Sequence, residues 1–192
     1  MSLLLETIKI KDGKSANLSY HQARFDKSRR DLFSITDKID LSSRIQSPDK
    51  ELYRCRIIYD QNIRSIEYIP YQEKQIQTLK IVTSNIEYKY KYADRIALNI
   101  LLEKEDAYDE IIIEKDGYLT DTTISNIAFY SENRWFTPTH PLLEGTMRAK
   151  LLDEGFLHLK EIKKEDLNNY SQIALMNSMI GFKILNDFTI EQ

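Results

Sequence analysis

The sequence predicts a mixed α/β (α+β) fold in two units, a small one over residues 1–82 and a larger, strand-rich one over 83–192. Three observations predict it. Extended segments with alternating apolar and polar residues outnumber helical ones. Asp12-Gly13 and Asp116-Gly117 fall between such segments and supply the positive φ of tight hairpin turns. Helical stretches are few, one in the first unit and two in the second.

The elements follow in order. Leu3–Lys11 ends in apolar–charged alternation and reads as a strand, turning at Asp12-Gly13 into a second extended piece that ends near Leu18. Ser19 is the expected N-cap of a helix from Tyr20 to Leu32, with Tyr20, Ala23, Phe25 and Leu32 as a rough apolar stripe. Residues 34–50 are polar, contain Pro48, and read as an irregular connection. Leu52–Tyr59 and Ile63–Tyr71 form an antiparallel hairpin with one wet face, joined at Asp60-Gln-Asn62. Gln77–Thr83 is a further strand. Tyr92–Lys104 has five aliphatic residues without Gly or Pro and reads as a helix. Strands are expected at Ile111–Ile113, Tyr118–Thr120, Asn126–Tyr130, Arg134–Thr137, Ile173–Met176 and Phe182–Leu185. A helix over Thr146–Asp153 follows Gly145, and Glu161–Asn168 is charged and loosely helical.

Composition excludes several function classes. The 192 residues are enough for a real core without staples. Lys plus Arg is 27 against 30 Asp plus Glu, so the net charge of −3 lacks the whole-domain basic field of a nucleic-acid binder. Tyr88-Lys-Tyr-Lys-Tyr92 interleaves basic and aromatic residues, but that charge balance favours a strand with a solvated face over an RNA platform. The single cysteine, Cys55, excludes an internal disulfide and a multi-cysteine zinc site. His21, His140 and His158 lack metal-ligand spacing, so no metal is expected. The N-terminus shows no basic signal region, and no stretch nears the roughly 18 to 20 apolar residues of a membrane span. The default location is the cytoplasm.

No Walker A, Gly-x-Gly-x-x-Gly or Gly-x-Ser-x-Gly motif occurs. Instead a set of segments appears in a fixed order: Leu5-Glu-Thr-Ile-Lys-Ile-Lys-Asp-Gly13, His21-Gln-Ala-Arg24-Phe25, Lys91-Tyr-Ala-Asp94-Arg95, Thr120-Asp121-Thr-Thr-Ile-Ser-Asn126-Ile127, Thr137-Pro138, Leu143-Glu-Gly145-Thr-Met-Arg148 and Met176-Asn177-Ser178. Each is weak alone. Together, over nearly the whole chain, they resemble the class IV aminotransferases. These are the pyridoxal-phosphate family of branched-chain and D-amino-acid aminotransferases and 4-amino-4-deoxychorismate lyases.

The resemblance implies a small α/β sandwich followed by a strand-rich pseudo-barrel with helices. It implies pyridoxal 5′-phosphate as cofactor and a homodimer acting on a small amino substrate. Lys91 is the implied Schiff-base lysine and proton carrier, a role that needs an amine able to lose its charge. Lys89, two residues away, competes for it; the Asp94-Arg95 register favours Lys91. Asp121 stands where the family usually has Glu, and is the implied partner of the pyridine nitrogen. Arg24 is the implied phosphate fork, Gly145 and Thr146 open a helix whose free amides favour an anion, and Ser178 matches a phosphate-binding hydroxyl. Asn126 is expected to fix its turn and His21 to pack its helix. Many family members carry a further N-terminal segment that forms part of the substrate pocket, whereas this chain begins almost at the first strand the resemblance covers. Arg54, Arg56 and Arg64 lie on the hairpin near where relatives bind substrate carboxylates, and Arg54 and Arg56 share a strand face.

The segments at 91–95 and 176–178 lean towards a lyase that forms p-aminobenzoate and pyruvate. A transaminase of branched-chain or D-amino acids is the alternative, and a non-catalytic cofactor-binding protein a third reading.

Overall fold

The computed structural model describes residues 2–46, 48 and 51–191, which divide into two units. The first unit comprises residues 1–73 and 90–94, the second 74–89 and 95–192. The expected boundary at 82/83 therefore moves. The strand at 78–83 pairs in parallel with a strand of the second unit, while residues 90–94 return to the first.

In the first unit, β1 (Leu4–Lys11) turns through Asp12 and Gly13, at φ 49° and 73°, into the short β2 (Lys14–Ser15). β3 (Leu52–Tyr59) and β4 (Ile63–Pro70) form the second hairpin, and the sheet order is β2-β1-β3-β4, antiparallel throughout. The helix α1 spans Leu18–Phe33. It starts earlier than expected, because Asn17 rather than Ser19 ends the hairpin, in a left-handed conformation that Asn tolerates. Side chains alternate across β1, so Leu4, Ile8 and Ile10 join Phe25, Cys55, Ile57 and Tyr59 in one buried cluster. The connection after α1 holds a 3₁₀ turn at Leu41–Ser43, its first turn capped by Asp40. The rest of the expected irregular connection at 47, 49 and 50 lies outside the described residues.

The second unit contains β5 (Thr78–Thr83), α2 (Ile96–Glu103), β6 (Glu110–Lys115), β7 (Tyr118–Thr122), β8 (Asn126–Ser131), β9 (Arg134–Pro138), α3 (Thr146–Asp153), β10 (Leu157–Lys160), β11 (Gln172–Asn177), β12 (Gly181–Ile184) and β13 (Thr189–Glu191). They make a nine-stranded mixed sheet in the order β10-β9-β8-β7-β6-β5-β13, with β11 pairing β8 and β12. Its core holds Leu79, Ile112, Ile127, Phe129, Ile162 and Leu175. A second cluster seats Leu151 of α3 against Ala128, Trp135, Ala174 and Met176.

Three expectations are corrected. Tyr92–Lys104 is not one helix. Tyr92 bridges Leu4 and the Ala93 amide donates to the Leu3 carbonyl at 2.9 Å, so residues 92–93 line the sheet edge and α2 begins only at Ile96. The same pairing leaves Tyr88–Tyr92 without a continuous strand. Residues 164–169, in the stretch expected to be loosely helical, form a 3₁₀ helix. β10 and β13 were not expected: each is short and pairs in parallel with a strand distant in sequence.

Candidate active site

In the first unit, a charge stands among apolar side chains. Glu6 occupies the position between Leu4 and Ile8 on the inward face of β1 and is fully buried. His21 and Arg24 meet it from α1, where three-residue spacing puts them on one side. Arg24 donates from Nε to Glu6 Oε1 at 2.8 Å and from Nη2 to Oε2 at 2.6 Å. His21 Nδ1 lies 2.6 Å from Oε2. Burial raises the Glu6 pKa, but the charge and hydrogen bonds of Arg24, with those of His21, outweigh it and hold the carboxyl at about 2. Burial lowers the His21 pKa. Glu6 pulls it up, and the charges of Arg24 and Lys91 push it down again. The geometry is therefore that of a neutral imidazole giving its Nδ1 hydrogen to a carboxylate.

Lys91 joins this unit through its backbone, its carbonyl accepting the Leu5 amide at 2.8 Å. Its side chain is half-buried, whereas that of Lys89 is exposed. Of the two competing lysines, Lys91 is thus the one placed beside β1, with its charge felt at His21. Further cations lie on the opposite, outward face of the sheet. Lys9 is paired in register with Arg54, and Thr7 with Arg56. Arg54 Nε is buried without a hydrogen-bond partner, Arg56 makes a rim pair with Glu67 at 3.3 Å, and Arg64 is held by Asp60 at 2.8 Å.

In the second unit, the sheet register gathers the remaining residues at one end. Asp121 pairs with Asn126, and Asn126 with Met176, the residue before Asn177 and Ser178. Asp121 is buried. Its Oδ1 accepts from Asn126 Nδ2 at 2.7 Å and its Oδ2 from the Leu143 amide at 2.9 Å. Burial raises its pKa to about 6, against the pull of these hydrogen bonds and of Arg148. Asn126 Nδ2 also donates to the Leu143 carbonyl at 2.8 Å. Two residues on, Gly145 is the N-cap of α3. Thr146, its first residue, is buried. Asn177 Nδ2 donates to Ser125 Oγ at 2.9 Å, and its Oδ1 accepts the Met179 and Ile180 amides, which shapes the turn carrying Ser178. Arg95 Nη2 reaches the Thr123 carbonyl at 2.8 Å, supporting the loop after Asp121.

Of the residues singled out in the sequence, Lys91 and Arg24 therefore share the first unit, and Asp121, Gly145, Thr146 and Ser178 the second. Sequence reasoning missed Glu6 and Arg148 as site residues. The signal for Glu6 was an acid at an inward position of Leu4-x-Glu6-x-Ile8-x-Ile10. Arg148 is buried, with Nη2 on the Pro138 carbonyl at 2.8 Å and its charge felt by Asp121.

Residues 3–184 match the family described as amino-transferase class IV. The chain belongs to the class IV aminotransferase family. The class IV match spans every site residue above. The chain is 40% identical over 184 residues to an "uncharacterized protein" of Haemophilus influenzae, covering 93% of this chain and 98% of that one. Among solved structures it is similar to the "putative 4-amino-4-deoxychorismate lyase" of Haemophilus somnus, with 39% identity, TM-score 0.86, and coverage of 94% of this chain and 98% of that one. It also shares its fold with a "hypothetical aminotransferase" of Mycobacterium tuberculosis in its PLP-bound form, at 16% identity and TM-score 0.79, over 98% of this chain and 81% of that one. The mixed α/β class IV fold expected from the sequence is the fold of this chain.

Proposed function

We propose that this class IV protein is a pyridoxal-phosphate enzyme of the 4-amino-4-deoxychorismate lyase type, forming p-aminobenzoate and pyruvate. The observation that carries the cofactor reading is the pairing of Asp121 with the loop that opens α3. A buried acid at about 6 gains most from a cationic ring nitrogen, and Asn126 and the Leu143 amide tie this one to the segment that opens α3. A carboxylate accepts about four hydrogen bonds, so those from Asn126 and from the Leu142 and Leu143 backbone leave room for such a partner. The residues present thus fit the group. Asp121 would hold its ring nitrogen; the helix start at Gly145-Thr146, with Ser178, would hold its phosphate. Arg24 would add positive charge, its direction set by Glu6. Lys91 would carry it.

When bound, pyridoxal phosphate supplies the electron sink for the bond broken next to the substrate amine. The chain's own residues do the rest. Lys91 Nζ would move the proton at the carbon undergoing change, a task that needs an amine able to lose its charge. Asp121 would supply the anion for the ring nitrogen. Glu6 neutralises Arg24, and burial of His21, with the charges of Arg24 and Lys91 beside it, keeps that imidazole uncharged.

The lyase reading rests on 39% identity to a protein of that name and on the outward face of the first sheet. There Arg54, with its buried unpartnered Nε, stands in register with Lys9 and on the same face as Arg56. That face suits a dicarboxylate better than the apolar side chain of a branched-chain substrate. Arg64, bound to Asp60, takes no part. The test supplies aminodeoxychorismate without any 2-oxo acid and follows p-aminobenzoate. Its appearance supports the lyase. Conversion of amino acids only when 2-oxoglutarate is added would make the chain a transaminase instead.

A further inference from the structure

The side chain of Asn126 touches both halves of the second unit's site. Its Nδ2 donates to Asp121 Oδ1 at 2.7 Å and to the Leu143 carbonyl at 2.8 Å. Its Oδ1 lies against Gly145, where an added Cβ would come within 2.0 Å of it. The φ of Gly145 is −70°, so glycine is required there by space and not by backbone conformation. Oδ1 is the end of a side chain and would ordinarily swing aside. Here it is buried and tethered through Nδ2 on two acceptors, so moving it breaks both hydrogen bonds. The Leu143 amide closes the circuit by donating to Asp121 Oδ2 at 2.9 Å.

We propose that Asn126 is a positioning residue that locks Asp121 to the start of α3 and so fixes the distance between a ring-nitrogen site and a phosphate site. The proposal rests on the cofactor reading above. Its physical content is preorganisation. A ligand that spans both ends gains affinity only if their spacing is already set, whereas a ligand using one end gains little. Gly145 then has a second role beside its helix-start amides, as the space into which the amide of Asn126 is pressed.

The test uses the full chain freed of cofactor, with pyridoxine 5′-phosphate and pyridoxine as probes. Neither carries an aldehyde, so neither bonds to Lys91, and the readout is equilibrium binding by tryptophan fluorescence or calorimetry. Asn126→Ala is expected to weaken pyridoxine 5′-phosphate about 10- to 100-fold and pyridoxine by no more than about threefold. Gly145→Ala should reproduce that selective loss. In the Asn126→Ala background the same glycine substitution should add nothing, because the atom it would strike is gone. Equal losses for the two probes, or additive losses in the double variant, would overturn the positioning role while leaving the cofactor reading intact. Wild-type protein that binds the phosphorylated probe no better than pyridoxine would overturn the cofactor reading, and the proposal with it.

Discussion

Arg24 lays Nε and Nη2 against the two carboxylate oxygens of Glu6, at 2.8 and 2.6 Å, beneath the strand edge that carries Lys91. The Arg24 side chain is 13% exposed and Glu6 is not exposed at all, so neither charge has solvent to fall back on. Removing one partner strands the other. Glu6→Ala is expected to destabilise the protein by about 3–5 kcal/mol. Urea denaturation checks this, and a loss below about 1 kcal/mol would show that Arg24 finds another acceptor.

The pH dependence of stability should carry two opposite contributions. Glu6 has a folded pKa of about 2, below its ordinary value, so its contribution is complete above roughly pH 4.5 and is lost as the pH falls through 2. Asp121 runs the other way. Its folded pKa of about 6 lies above the ordinary 3.8, so its contribution is present below pH 3.8 and is lost as the pH rises through 6. Asp121→Asn should remove a decline on the order of 3 kcal/mol between about pH 4 and 6 in the cofactor-free protein. An unchanged stability profile across that window would mean that Asp121 ionises normally.

Covalent attachment should fall on Lys91. After incubation with pyridoxal phosphate, borohydride reduction and peptide mapping are expected to place the pyridoxyl group there and not on the exposed Lys89. The purified protein should be yellow before reduction. A pyridoxyl group on Lys89 would shift the assignment by two residues and separate the reactive amine from Glu6 and His21.

Asp121→Ala should retain cofactor yet turn over substrate about 10²-fold more slowly, equivalent to roughly 3 kcal/mol, because the ring loses the partner that favours its electron-sink form. Turnover equal to wild type on a proven substrate would make Asp121 a loop-fixing residue only.

Much of the architecture was written in local pattern. Alternation gave β1, β3 and β4, and the apolar run Ile111–Ile113 with the turns after it gave the strands from β6 to β9. The Asp-Gly pairs gave their turns, with Asp116 and Gly117 at φ 53° and 81°, and Gly145 marked the start of α3. These signals act over a few residues and survive whatever the chain packs against. The ordered segments around Lys91, Asp121 and Gly145 likewise named the family without any knowledge of their contacts.

What the tertiary structure decided is of longer range. Glu6 and Arg24 are 18 residues apart, and only the packing of α1 on β1 turns an acid in an apolar alternation into a buried ion pair. Residues 92–93 have helical composition, but the Lys91 carbonyl accepts the Leu5 amide and the Ala93 amide donates to the Leu3 carbonyl, about 90 residues earlier in the chain, which moves the start of α2. β10 and β13 exist because a distant strand offers them a parallel partner. The link from Asp121 through Asn126 to Gly145 depends on a loop 17 residues beyond Asn126 folding back on it. In each case the free energy comes from desolvated charges and backbone groups that must find partners, and sequence proximity does not say which partners those will be.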